Sequence, residues 1–146
     1  MEESMTENVM SQGSEREADG YGILALAYMG DAVMELFARD LVLHESGETK
    51  PGGLVRASKA YITCEAQSDA VEKILEHLSE KEMSVYKRGR NAKTHFSPKH
   101  GELIQYRRAT GFEALMGHLY ISGNIARAKE LFLIAFAEKQ DKEETN

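Results

Sequence analysis

The chain has one cysteine, two prolines and no tryptophan among its 146 residues. A lone thiol, Cys64, excludes an intrachain disulfide and any Cys-rich zinc site. It fits a reducing compartment, where an unpaired thiol is expected to serve as a small core hydrophobe. No apolar run approaches the roughly 20 residues that a membrane span needs. The N-terminus shows neither the basic and apolar regions of a signal peptide nor the Arg-rich character of a transit peptide, so cytoplasmic residence is expected. Period-two alternation and internal repeats are both missing. His95, His100 and His118 fall in no His-x-x-x-His or His–Cys spacing, which removes the usual zinc patterns.

What is present suits one domain with a hydrophobic core, and its charge is unevenly spread. The net charge of −6 comes mostly from the ends. Residues 1–19 hold six acids against Arg16, and residues 138–146 hold four acids against Lys139 and Lys142. The body between them is close to neutral. Within it, residues 81–109 carry eight basic side chains against Glu82 and Glu102. A basic stripe of this density suits a polyanion, although a solvated face is the usual fate of a charge run. Residues 1–19 read as a disordered acidic tail and 140–146 as a polar C-terminal tail, leaving 20–139 as the folded domain.

Helical periodicity accounts for the body, so the fold class is all-α. A first helix is expected over 22–45, apolar on most of its circumference and therefore central or at an interface. Pro51 opens a second, expected to reach about Ala66. Ser68 is a plausible N-cap for an amphipathic segment over 68–79. Ser79-Glu80-Lys81-Glu82 has capping-box spacing and starts a helix towards Arg90. A basic loop follows over 91–99. A helix over roughly 101–121 stops at Ser122-Gly123-Asn124, and a last one runs from Ile125 to about Lys139.

Two acids interrupt this pattern. Asp31 lies in the apolar run from Leu26 to Met34, and Glu113 in the run from Phe112 to Met116. An ionised carboxylate in an apolar interior is expensive unless something compensates it. Gly30 precedes Asp31, and Gly117 lies one turn after Glu113. Glycine within a helix costs about 1 kcal/mol relative to alanine, so two of them ask for a reason. Close helix–helix approach is one, and it would bring the carboxylates together as oxygen ligands for a hard cation such as Mg²⁺. An interior acid paired with a neighbouring base is the plainer reading. Glu35 is expected to pair with Arg39 at i+4 and stays outside the site.

These residues carry a resemblance. Tyr28-Met29-Gly30-Asp31-Ala32-Val33 resembles the signature helix of ribonuclease III nuclease domains, and Phe112-Glu113-Ala114-Leu115-Met116-Gly117 resembles their second acidic helix. Lys87-Arg88-Gly89-Arg90-Asn91-Ala92-Lys93 and Tyr106-Arg107-x-Ala109-Thr110 are similar to the short subfamily, Mini-ribonuclease III, which has the nuclease domain without a double-stranded-RNA-binding domain. Where larger members carry further acids, this chain has Ala27, Thr110 and the acid-free Lys50-Pro51-Gly52-Gly53-Leu54. The short subfamily shares that thinner set.

The resemblance implies a homodimeric, Mg²⁺-dependent endoribonuclease that cuts double-stranded RNA to 5′-phosphate and 3′-hydroxyl ends. It implies Asp31 and Glu113 as catalytic residues and metal ligands, and large-subunit (23S) ribosomal RNA precursors as substrate. It also admits ribosomal proteins as partners. Lys87, Arg88, Arg90, Asn91, Lys93, Lys99 and Arg107 are the expected RNA-binding residues. The rival readings are a non-catalytic RNA-binding relative associated with ribosomes, and a helical protein that merely dimerises through its apolar first helix.

Overall fold

A computed structural model describes residues 13–93 and 100–137. Within them the chain forms seven α-helices and a single 3-10 turn, with no strand among the described residues. They are α1 (Glu15–Asp19), α2 (Ile23–Glu45), α3 (Pro51–Ile62), α4 (Cys64–Val71), α5 (Glu80–Arg90), α6 (His100–Ile121) and α7 (Ile125–Ala135), with the turn at Leu75–His77.

The centre is α6. From Ala109 to Leu119 its side chains are nearly all buried, including Phe112, Leu115 and Met116 at 0% exposure. A helix apolar all round must be covered on every side, and α2, α4 and α5 cover this one. The first long helix, α2, is only partly enclosed. It buries Leu26, Val33, Met34, Phe37 and Val42 but leaves Tyr28 (82%), Leu36 and Leu43 in solvent. At the far end, Phe37, Tyr61, Phe132 and Phe136 stack in tilted and edge-on pairs, with centroids 4.8–6.2 Å apart, and tie α3 and α7 to α2.

Local chemistry sets the helix ends. At Ser79 the hydroxyl accepts from Glu82 N while the Glu82 carboxylate accepts from Ser79 N, a complete capping box. Gly123, at φ +86°, closes α6 in the left-handed conformation. Its N–H donates to Tyr120 O and that of Asn124 to Leu119 O, the Schellman arrangement. The Asn124 side chain then caps α7.

Four expectations need correction. The second helix ends at Ile62 rather than about Ala66, because Thr63 leaves the helical conformation and its hydroxyl caps a new helix by accepting from Ala66 N. Ser68 is consequently not an N-cap; it is buried inside α4. Cys64, expected in the core, is exposed at the first position of that helix. Residues 15–19 are not a disordered tail but the helix α1, with Ala18 fully buried. The remainder of the acidic tail, residues 1–12, and the segment 138–146 lie outside the described residues.

Candidate active site

Where α2 crosses α6, the two backbones touch. A Cβ on Gly30 would overlap the carbonyl oxygen of Glu113 and sit 2.9 Å from Gly117 N. One on Gly117 would overlap the carbonyl oxygen of Leu26 and sit 3.0 Å from Gly30 N. Hydrogen is the only side chain this crossing admits, so the glycines earn their helical penalty here. Asp31 and Glu113 each lie next to this contact, one on either helix.

The two acids differ in setting. Both were expected in the interior, but Asp31 is exposed and Glu113 half-buried. Burial, and next the charge of Asp31, push the Glu113 carboxyl up to about 7. Asp31 is raised as well, by partial desolvation and then by Glu35. Glu35 in turn accepts from Arg39 Nη2 at 2.6 Å, as the i+4 spacing suggested. A carboxyl that ionises only near neutrality beside a second acid is a site short of positive charge. Among the described residues no three His, Cys, Asp or Glu side chains gather into a metal cage. Two carboxylates fit a cation that keeps waters and takes substrate oxygens.

The basic residues are distributed over one helix and its surroundings. Lys87, Arg88 and Asn91 are exposed and line one open cleft of about 840 Å³, floored by Ile23, Leu78 and Met83. Arg90 is turned elsewhere. Its guanidinium lies 5.8 Å from the centroid of the Tyr86 ring, and its Nε donates to Asn91 Oδ1 at 3.2 Å. Lys93 is exposed just past the end of α5, and Lys99 lies outside the described residues. Of the adjacent arginines on α6, Arg107 is exposed whereas Arg108 pairs with Glu72 at 3.3 Å.

The Ribonuclease III domain family model matches residues 24–124, the span from the start of α2 to the cap of α7. The Mini-ribonuclease 3 of Enterococcus faecalis is 44% identical over 110 residues, covering 74% of this chain and 83% of its own. That of Brevibacillus brevis is 41% identical, covering 78% and 84%. The chain belongs to the Mini-ribonuclease III family. An X-ray crystal structure of a Fusobacterium nucleatum protein superimposes with a TM-score of 0.71 at 29% identity, over 82% of this chain and 95% of that one. As a member of the Mini-ribonuclease III family the chain is an endoribonuclease, and RNA is its substrate.

Ala27 and Thr110, the positions at which the resemblance led to the expectation of a thinner acidic set, are both buried. Ala27 is 7% exposed and packs with Leu26 and Ala114. The Thr110 hydroxyl donates to Tyr106 O at 2.9 Å within its own helix. Three features of this Mini-ribonuclease III fold gave no sequence signal. Cys64 is close enough to Glu113 and Asp31 that burial and then their charges raise its thiol pKa. His118, 4% exposed, meets Asp19 Oδ1 through Nε2 at 2.9 Å, while Asp19 Oδ2 accepts from Lys81 at 2.9 Å. Gln67 on α4 is 2% exposed. The His118 pair spans 99 residues of sequence, so no local pattern could announce it.

Proposed function

We propose that the chain is a Mg²⁺-dependent endoribonuclease of double-stranded or structured RNA, with Asp31 and Glu113 as its catalytic, metal-holding pair. The observation that supports this reading is the glycine-on-glycine crossing of α2 and α6, beside which the charge of Asp31 is felt by the Glu113 carboxyl. Asp31, at the surface, meets the incoming phosphodiester. Glu113, deeper, supplies a carboxylate from the buried stretch of α6. When bound there, Mg²⁺ lowers the pKa of a water and offsets charge developing on the phosphoryl oxygens. Lys87, Arg88, Asn91 and Lys93 grip the RNA backbone, and Lys99 and Arg107 are further RNA-binding residues. Arg90 contributes by holding Asn91 in place. Cleavage leaves 5′-phosphate and 3′-hydroxyl ends.

The working form is a homodimer, supported by the exposed apolar side chains Leu24 and Tyr28, one turn apart on α2. The physiological substrate is a large-subunit (23S) ribosomal RNA precursor, processed in the cytoplasm, with ribosomal proteins as partners. No helix among the described residues is long and apolar enough to cross a membrane.

The test is cleavage of a labelled duplex and of a ribosomal precursor with MgCl₂, by the wild type, Asp31→Asn and Glu113→Gln. Cleavage lost in both variants while RNA binding persists supports the assignment. Binding without cleavage by the wild type on both substrates would favour the non-catalytic relative. Affinity should fall steeply with salt, and Lys87→Ala and Arg88→Ala should each flatten that dependence by about one unit of slope.

A further inference from the structure

Among the described residues, one buried side-chain polar atom lacks a hydrogen-bond partner, the amide nitrogen of Gln67. Buried amide donors are almost always paired, and an apolar side chain of the same size would fill the space without penalty. An idle donor at a position 2% exposed therefore asks for an acceptor.

The register of α4 on α6 indicates which one. Cys64, the first residue of α4, lies within electrostatic reach of Glu113 and Asp31. Glu72, just past the end of α4, pairs with Arg108 on α6 at 3.3 Å. The ion pair fixes the end of α4 near Arg108, and the influence of Glu113 on Cys64 sets its start towards the Glu113 end of their contact. Gln67 is three residues after Cys64, hence on the same helix face one turn further in. The helix that carries it packs chiefly on α6, so this register directs the buried amide towards the stretch of α6 that carries Glu113. Glu113, for its part, is half-buried on the facing helix. A buried donor without an acceptor and a half-buried acid are thus carried by two helices that pack on one another.

We propose that Gln67 is a positioning residue of the active site, its amide N–H donating to the ionised Glu113 carboxylate, directly or through one water, when that carboxylate holds a divalent cation. One carboxylate oxygen is then held by the amide and the other is presented to the cation. This rests on the reading of Asp31 and Glu113 as cation ligands. Partners of this kind orient ligands, and their loss typically weakens metal affinity or activity by about 10- to 100-fold.

The experiment is Gln67→Met in the full-length protein, which keeps the side chain's length and removes the donor. Three quantities are compared with the wild type: melting temperature in EDTA, MgCl₂ affinity by calorimetry without RNA, and cleavage of a labelled duplex across MgCl₂ concentrations. The expected result is a melting temperature no lower than the wild type, MgCl₂ affinity weaker by about 10-fold or more, and cleavage restored at high MgCl₂. In ¹⁵N-labelled wild type, the Gln67 side-chain amide signals should move on adding MgCl₂ and stay fixed in Glu113→Gln. Those signals decide the matter should Gln67→Met not fold. Wild-type affinity in Gln67→Met, at raised or lowered melting temperature, or amide signals indifferent to MgCl₂, would overturn the proposal and leave Gln67 a core residue. A wild type that binds no MgCl₂ would remove the reading of the acid pair, and this inference with it.

Discussion

Replacing Glu113 by Gln should stabilise the cation-free protein, and by an amount that grows with pH. The folded carboxyl titrates near 7, against about 4.5 for the ordinary group. Below pH 4.5 both states are protonated, and the native environment exacts nothing. Between those values the unfolded chain releases its proton while the folded one keeps it, so stability declines as pH rises. Above 7 the loss is complete. At about 1.4 kcal/mol per pH unit, the span corresponds to about 3 kcal/mol. For a chain of this size that is roughly 6–10 °C in melting temperature. Gln has the same shape and no charge, so the variant lacks this term at every pH. Its own amide, if unpaired, costs about 1–3 kcal/mol independently of pH. The slope of the difference is therefore the diagnostic, not its value at one pH. Asp31, Glu82 and Asp19 titrate in both proteins and drop out of the comparison to first order.

The assay is urea unfolding in EDTA from pH 5 to 8, at equal protein concentrations. The stability of Glu113→Gln relative to wild type should rise by roughly 2–3 kcal/mol over that range. Adding MgCl₂ at pH 8 should raise the wild type alone and close the gap. A difference that stays level across the range, within about 0.5 kcal/mol, would refute the reasoning, since an enclosed carboxyl short of compensation cannot titrate without affecting stability.

Three further perturbations probe other parts of the structure. Gly117→Ala should destabilise by about 3 kcal/mol or more, because its methyl meets the rigid carbonyl of Leu26 rather than a side chain that can move aside; a melting temperature within a few degrees of wild type would contradict the crossing. Arg127 holds Glu82 through two bonds of 2.9 Å and reaches His77 O at 2.7 Å, so Arg127→Ala should cost about 2–3 kcal/mol in chemical unfolding at pH 7. Because Arg127 is the main cause of the lowered Glu82 pKa, the wild type should lose this stability as pH falls below about 4.5, and the variant should lose less. Tyr28→Asp should shift the protein to monomer in sedimentation velocity, and an unchanged dimer would place the interface elsewhere.

Much of the fold was legible in short-range patterns. The capping box at Ser79 and the stop at Gly123-Asn124 are written within four residues of where they act, and both appear as expected. The pairing of Glu35 with Arg39 is likewise a matter of one helical turn. Gly30 and Gly117 were informative because each carries a local penalty that only contact with another backbone explains. The boundary at Thr63 was missed because a threonine mid-pattern is as compatible with a continuous helix as with a cap. Cys64 and Ser68 were misplaced as a result, since moving a helix start by a few residues exchanges buried for exposed faces.

Local sequence, then, determined the helices, their ends, and the two residues at which backbones could meet, because hydrogen bonds and capping are settled among near neighbours. Tertiary structure alone decided exposure, partner and pKa. Arg107 and Arg108 are identical in local terms, and only the position of Glu72 separates the exposed one from the paired one. Glu113 sits near 7 because partial burial, and then the charge of Asp31, disfavour its ionised form, and His118 meets Asp19 because α1 folds back onto α6. Desolvation and Coulomb interactions act through space, and the sequence distance between the groups has no bearing on their strength.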